Sequence, residues 1–124
     1  MDSSFEKQAL NDTMITDDAL AVIAGIAASE VPGVAGMSSG ITGGIAEALG
    51  RINLSKGVKV VTRENATTID LYVIVRYGYR IPDLAFDIQE HVKNCIEEQA
   101  GIVVENIHIH VQGVDYSETE SEQA

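Results

Sequence analysis

Two segments of the chain carry apolar residues at the spacing of three and four that is typical of an amphipathic helix. The first follows Thr16, whose hydroxyl can accept a hydrogen bond from the free amides at a helix start, and it predicts a helix over Asp17–Glu30. Pro32 ends this helix because a proline disfavours helical dihedrals at the residue before it. The second segment has Pro82 in its first turn and predicts a longer helix that ends near Gly101.

Four segments have the composition or the alternation of β-strands. We predict a short strand at Val34–Met37, a hairpin formed by residues 57–63 and 67–77, and a final strand over residues 107–114. Residues 38–51 hold four glycines and favour a loop with one short helical turn.

The order of these elements predicts an α/β protein of the α+β type. We expect a two-layer sandwich in which two main helices cover one face of a mostly antiparallel four-stranded sheet. This single domain spans residues 15–114. A flexible tail over residues 1–14 precedes it, and an acidic disordered tail over residues 115–124 follows it, since neither tail has much to bury.

The alternation along the strands also predicts what faces away from the helices. Ile69, Leu71, Val73 and Val75 point toward the core, so the residues between them point outward. The outward set mixes cations, an aromatic ring and aliphatic side chains, which is typical of a protein-binding or self-association surface. The candidate interaction surface comprises Lys59, Val61, Arg63, Tyr72, Ile74, Arg76, His108 and His110.

The apolar stripe of the first helix is wider than that of an ordinary surface helix. Val22 and Ile26 lie outside the stripe that would face a single core. We therefore expect this helix to be covered on more than one side, and we assign Val22 and Ile26 to a candidate self-association surface of a homo-oligomer.

Charge narrows the class of partner. Nineteen Asp and Glu residues against eight Lys and Arg residues give a net charge of −11, which opposes binding to nucleic acid or to an anionic bilayer. The basic residues around Tyr72 resemble a platform for single-stranded RNA, but the acidic balance argues against that use. The longest apolar run, residues 19–28, is about half of the ~20 residues needed to span a membrane. With no signal peptide evident, we expect a cytoplasmic protein that binds proteins, without direct membrane insertion.

No catalytic, cofactor or metal site is predicted. Neither a P-loop, a dinucleotide fingerprint nor a GxSxG elbow is present. Cys95 is the single cysteine and falls in the apolar stripe of the second helix, so we expect a buried, unreactive thiol. His108 and His110 could offer two nitrogens to a metal but have no evident third ligand, and His91 lies apart on the second helix.

Several ordered segments together resemble the alkaline shock protein family, the Gls-type envelope stress response proteins of Gram-positive bacteria. The resemblance covers about residues 15–114. It is carried by IAGIAASEVPGVAGM, the glycine-interrupted loop, KGVKV, IDLYVIVRYG, IPDLAFDIQEHVKNCIEE and VENIHIHVQGV. It implies a small non-enzymatic cytosolic α/β protein that self-associates, with some members held at the membrane by a membrane-anchored relative. No catalytic residues belong to the family pattern.

The same resemblance leaves two functions open. The first is a scaffold or regulatory protein of cell-envelope stress homeostasis that acts through protein contacts and self-association. The second is a modulator of acetyl-CoA carboxylase and fatty-acid synthesis, because other members are encoded beside fatty-acid synthesis genes and are linked with that enzyme. The EVPGVAGM and IHIHVQGV segments look closer to this second branch.

Overall fold

The first helix begins and ends where its local signals predict. A computed structural model describes residues 14–38, 56–64 and 66–116, and in it α1 spans Asp17–Glu30. The backbone N–H of Ala19 donates to Thr16 Oγ1 at 3.1 Å, so the predicted cap is formed. At the other end Val31 adopts an extended conformation before Pro32.

The remaining described elements follow the predicted order. They are β1 (Val34–Met37), β2 (Val58–Arg63), β3 (Ala66–Arg76), α2 (Ile81–Ala100) and β4 (Val104–Asp115). The helix α2 has Pro82 in its first turn and ends at Gly101, whose φ of 69° is left-handed. The predicted short helical turn near residues 45–49 lies outside the described residues, as do residues 1–13 and 117–124.

Strand β3 is the centre of the sheet. It pairs antiparallel with β1 near Val75, antiparallel with β2 along its first half, and parallel with β4 over residues 67–76. Because β4 occupies one edge of β3 over that length, β1 and β2 share the other edge end to end. They meet at Tyr72, whose N–H donates to Gly57 O and whose carbonyl accepts from Ser38 N, both at 2.8 Å. The sheet is thus mostly antiparallel, as predicted.

Both helices pack on one face of this sheet, so the two-layer prediction is confirmed. The inward side chains of β3 are all buried, with Ile69, Leu71 and Val73 at 0% exposure. They meet an apolar stripe from α2 and a small-residue stripe from α1, in which alanines let the helix approach closely. The stripes consist of Leu84, Ile88, Val92 and Ile96 on α2, and of Leu20, Ala24, Ala27 and Ala28 on α1.

The last strand is longer and less regular than its pattern predicts. It begins at the buried Val104 rather than at residue 107, and it ends at Asp115, which pairs with Arg76. Its register against β3 shifts between Val111 and Gly113, which leaves an extra residue in β4. The strict alternation expected over residues 107–114 therefore holds only for the first part of the strand.

Gly57 sits at the crowded point where β1, β2 and β3 come together. Its φ is +76°, and a Cβ built there would lie 2.7 Å from Ser38 O and 3.0 Å from Tyr72 O. Backbone carbonyls cannot swing aside as a flexible side chain can. Glycine is thus required at this position both by its dihedral angle and by the close approach of the neighbouring strands.

We predict that Gly57→Ala destabilises the fold more than Gly101→Ala. Both glycines have positive φ, but a Cβ at Gly101 meets nothing within 4 Å. Gly101→Ala should lower the free energy of unfolding by about 1 kcal/mol from the left-handed backbone alone. Gly57→Ala should lower it by a further ~1–3 kcal/mol from the clash. Urea unfolding of both variants measures the difference, and equal losses would contradict the close approach at Tyr72.

Candidate functional site

The register of the sheet brings the predicted interaction residues to one face. Lys59 lies opposite Asp70, which lies opposite His108, and Tyr72 lies opposite His110. These residues alternate with the buried ones, so they face away from the helices. We call this set the outer sheet face; it holds Lys59, Val61, Arg63, Tyr72, Ile74, Arg76, His108 and His110, together with Asp70, which was outside the predicted set.

Tyr72 and His110 form a stacked pair of rings on the outer sheet face. Their rings stack with centroids 4.5 Å apart and planes 14° from parallel. The His110 ring also hydrogen-bonds through Nε2 to Asp70 Oδ1 at 2.9 Å, and the Asp70 side chain is only 21% exposed. The half-buried carboxylate therefore holds the imidazole, and the imidazole holds the phenol ring in place.

Ile74 is the next outward residue of β3 after Tyr72, and the residues opposite it on both neighbouring strands have no side chain. Its cross-strand neighbours are Gly36 on β1 and Gly113 on β4. A Cβ at Gly113 would touch Ile74 Cδ1 at 3.0 Å, while a Cβ at Gly36 would meet nothing within 4 Å. The isoleucine thus packs onto bare backbone on one side and has open space on the other.

The outer sheet face differs in chemistry from the rest of the chain. It carries the cations Lys59, Arg63 and Arg76, whereas the chain as a whole has a net charge of −11. In the described part of the chain both helices pack on the opposite face, and no element covers this one. A surface that combines cations, an aromatic stack and a partly exposed isoleucine is suited to binding an apolar, acidic patch on another protein.

The predicted self-association residues lie on α1, away from the sheet. Ile26 is 46% exposed and Val22 is half-buried. Three of the residues next to them in sequence, Ala21, Gly25 and Ala27, are buried. Self-association through this helix stays a prediction.

A second cluster of polar side chains joins the two helices. His91 Nε2 lies 2.9 Å from Glu30 Oε1 and 3.6 Å from Cys95 Sγ. Glu30 is the last residue of α1, and His91 and Cys95 lie one turn apart on α2. Sequence reasoning left His91 without partners. The spacing of His91 and Cys95 was the available signal, but Glu30 is 61 residues away in sequence and gave none.

Cys95 is half-buried, not fully enclosed in the apolar stripe as expected. Burial raises the pKa of its thiol, and the nearby carboxylates of Glu30 and Glu98 raise it further because they oppose a second negative charge. The thiol is thus protonated at neutral pH, which agrees with the expectation of low reactivity.

An exposed apolar cleft at the end of β3 was missed by the sequence reasoning. It is lined by Tyr77, Tyr79, Ile81 and Val114. Tyr77 is the last residue of the predicted strand over residues 67–77, but β3 ends at Arg76 and Tyr77 lies in the turn that follows. Tyr79 lies in the same turn, where the sequence predicts no element. Within the described residues, no helix has the length and apolar content required to cross a membrane.

The sequence of this chain is similar to one protein family and to several bacterial proteins. A profile of the alkaline shock protein family, described as having a cell envelope-related function, matches residues 5–116. The proteins YqhY and YloU of Bacillus subtilis (strain 168), both described as uncharacterized, are each 37% identical to this chain. The matches cover 86% and 81% of this chain and 79% and 85% of those proteins. Spy1614 of Streptococcus pyogenes serotype M6 is 32% identical, over 81% of this chain and 84% of its own length.

Solved structures show only a loose likeness of fold. One MamM CTD variant covers 77% of this chain and 95% of its own chain, at 19% sequence identity and a TM-score of 0.47. A second covers 79% and 96% at 17% identity and a TM-score of 0.48. Similarity at this level carries no argument about function.

We predict a measurable coupling between Tyr72 and His110. A double-mutant cycle with Tyr72→Ala and His110→Ala should give an interaction free energy of about 0.5–1.5 kcal/mol, because each substitution alone removes the stack. The matched cycle pairs Tyr72→Ala with His108→Ala, where the structure shows no ring contact, and should couple by less than ~0.5 kcal/mol. Urea unfolding supplies the free energies. Equal coupling in both cycles would refute the stacked arrangement.

Proposed function

The chain belongs to the alkaline shock protein family, whose function is related to the cell envelope, and on that premise we propose that it is a non-enzymatic scaffold or regulatory protein of cell-envelope homeostasis. It acts through protein contacts made by the outer sheet face. The names of YqhY and YloU state no reaction. The sequence of this chain contains no P-loop, dinucleotide fingerprint or GxSxG elbow.

The observation that carries the proposal is the pair Tyr72 and Ile74, which we call the Tyr72–Ile74 platform and which no element of the described ranges covers. Tyr72 is held by its stack with His110, and Ile74 lies between two glycines. A rigid aromatic side chain loses little conformational entropy on binding, and aromatic residues with neighbouring arginines are the types that dominate interface energies. The platform supplies the apolar centre of an interface, and the surrounding cations supply a polar rim.

The side chains of the platform can be changed without removing the strand pairing beneath them. Tyr72 joins β1 to β2 through its backbone N–H and carbonyl, not through its ring. Ile74 is partly exposed and points away from the core cluster. Substitution at these two positions therefore tests partner binding separately from folding.

Self-association is the second part of the proposal. We assign it to α1, where Ile26 and Val22 extend the apolar surface beyond the core-facing stripe. The proposed protein is located in the cytoplasm. Any attachment to the membrane that the envelope role requires is supplied by a membrane-anchored relative.

The alternative function uses the same outer sheet face with a different partner. In that case the chain binds acetyl-CoA carboxylase subunits and modulates fatty-acid synthesis. The segment IHIHVQGV, which resembles that branch of the family, contributes His108 and His110 to the outer sheet face. The identity of the captured partner distinguishes the two functions.

We predict that Tyr72→Glu with Ile74→Glu abolishes partner capture. The tagged full-length chain would be crosslinked in the native cell and purified, and co-purifying proteins would be quantified by mass spectrometry. Two buried charges at the centre of an interface should lower recovery at least about tenfold, which corresponds to ~1.4 kcal/mol. The control double variant, Phe86→Glu with Val103→Glu, changes two exposed apolar residues outside the outer sheet face and should retain the partner.

The outcomes separate the parts of the proposal. Recovery of a small membrane-anchored relative supports the envelope scaffold, and recovery of acetyl-CoA carboxylase subunits supports the alternative. A third variant, Ile26→Asp, should reduce self-association in sedimentation experiments while leaving partner capture intact. Equal recovery by the Tyr72–Ile74 variant and the wild type, with both folded by circular dichroism, would refute the outer sheet face as the binding surface.

A further inference from the structure

The cluster of Glu30, His91 and Cys95 lies on the helical side of the molecule and plays no part in the proposed protein contacts. It brings together a carboxylate, an imidazole and a thiol, with one candidate ligand atom from each within 4.8 Å of the others. We propose that this cluster is a metal site that binds one zinc ion.

The distances within the cluster are close to those of a tetrahedral zinc site. Zn–S bonds of ~2.3 Å and Zn–N bonds of ~2.0–2.1 Å place sulfur and nitrogen ligands about 3.6 Å apart at the tetrahedral angle. The Cys95 Sγ to His91 Nε2 distance is 3.6 Å. The corresponding N···O edge is about 3.3 Å, against 2.9 Å for the present hydrogen bond between His91 and Glu30. The third edge, from the Glu30 carboxylate to Cys95 Sγ, is at most 4.8 Å, against about 3.6 Å in a tetrahedral site. Binding therefore requires the exposed Glu30 side chain to rotate toward Cys95.

The backbone supplies this geometry without a special loop. His91 and Cys95 are separated by four residues on α2, so they project from the same side of one helix. Glu30 approaches from the end of α1, where the chain turns at Val31 and Pro32. A zinc ion held here would fasten the end of α1 to the middle of α2.

The ligand types select the class of metal. Mg²⁺ and Ca²⁺ prefer oxygen ligands throughout, whereas a thiolate and an imidazole favour zinc and its neighbours in the transition series. A fourth position is available on the open side of the cleft. Asp87, one turn before His91 on α2, lines the same cleft as Glu30 and His91, so its carboxylate or a water molecule can complete the shell.

The local charge also favours a cation. The carboxylates of Glu30 and Glu98 both act on Cys95. The cleft itself is lined by two carboxylates, those of Glu30 and Asp87. When zinc binds, Cys95 releases its thiol proton to solvent and the thiolate donates to the metal, so no oxidant or reductant is needed. The hydrogen bond between His91 and Glu30 is replaced by two bonds to the ion. The ring proton of that hydrogen bond moves through solvent to Nδ1 of His91, which frees the Nε2 lone pair for the metal.

Zinc titration of the chelator-treated full-length protein tests the site. Competition with a chromophoric chelator should show one zinc ion per chain. His91→Gln and Cys95→Ser should weaken binding at least about 100-fold, because even loss of a group that only orients a ligand costs about 10- to 100-fold. Glu30→Gln, at a largely exposed position, keeps the fold and should weaken binding by at least tenfold. The control His108→Gln with His110→Gln removes two other imidazoles and should bind as the wild type does.

Two further readouts separate metal ligation from a folding defect. Cobalt(II) in place of zinc should give a thiolate-to-metal charge-transfer band that is absent from Cys95→Ser. Zinc should protect Cys95, the single cysteine of the chain, from alkylation in the wild type but not in folded His91→Gln. The proposal is overturned if the wild type shows no saturable zinc binding. It is equally overturned if binding is lost in the His108–His110 control but kept in His91→Gln and Glu30→Gln.

Discussion

The pairing of β3 along both of its edges is the constraint on which the rest of the structure depends. With β4 on one edge and β1 and β2 end to end on the other, the orientation of every β3 side chain is fixed. A shift by one residue would exchange the two faces, placing Asp70 and Arg76 in the core and Ile69 and Leu71 in solvent. The buried residues on one side therefore guarantee the position of Tyr72 and Ile74 on the other.

This arrangement divides the molecule into two chemically different sides. The helices cover one face of the sheet and carry most of the acidic side chains of the described elements, including Asp83, Asp87 and Glu98 of α2. The opposite face carries Lys59, Arg63 and Arg76 and the Tyr72–His110 stack, with Asp70 as the carboxylate beneath it. The proposed partner surface and the proposed metal site thus lie on opposite sides of the sheet, so we expect them to be independent of each other. Loss of either would leave the other in place.

Local signals predicted the bounds of both helices because each of these boundaries has a nearby physical cause. The Thr16 cap, the break at Pro32 and the left-handed Gly101 determine where the helices begin and end. The alternation in β3 predicted its buried and outward residues because successive side chains of a strand point to opposite faces and only one face packs against the helices. These causes act within a few residues of the position they determine, so the sequence contains them.

Features that join distant segments could not be predicted in the same way. The pairing of β4 with β3 is parallel and follows a helical connection, so its register is set by packing and not by a turn. The shift of register after Val111 and the contact of Glu30 with His91 likewise depend on how the helices pack against the sheet. The hydrogen bond between Asp70 and His110 is of the same kind, since it joins residues forty apart in sequence.

Site-specific photo-crosslinking from the outer sheet face tests the central claim most directly. A photoactivatable amino acid would replace Ile74 in one strain and Phe86, on the helical side, in another, and both strains would be illuminated in the native cell. Binding through the outer sheet face predicts a discrete adduct with one partner protein from position 74 and none from position 86. An adduct with that partner from position 86 alone would contradict the account.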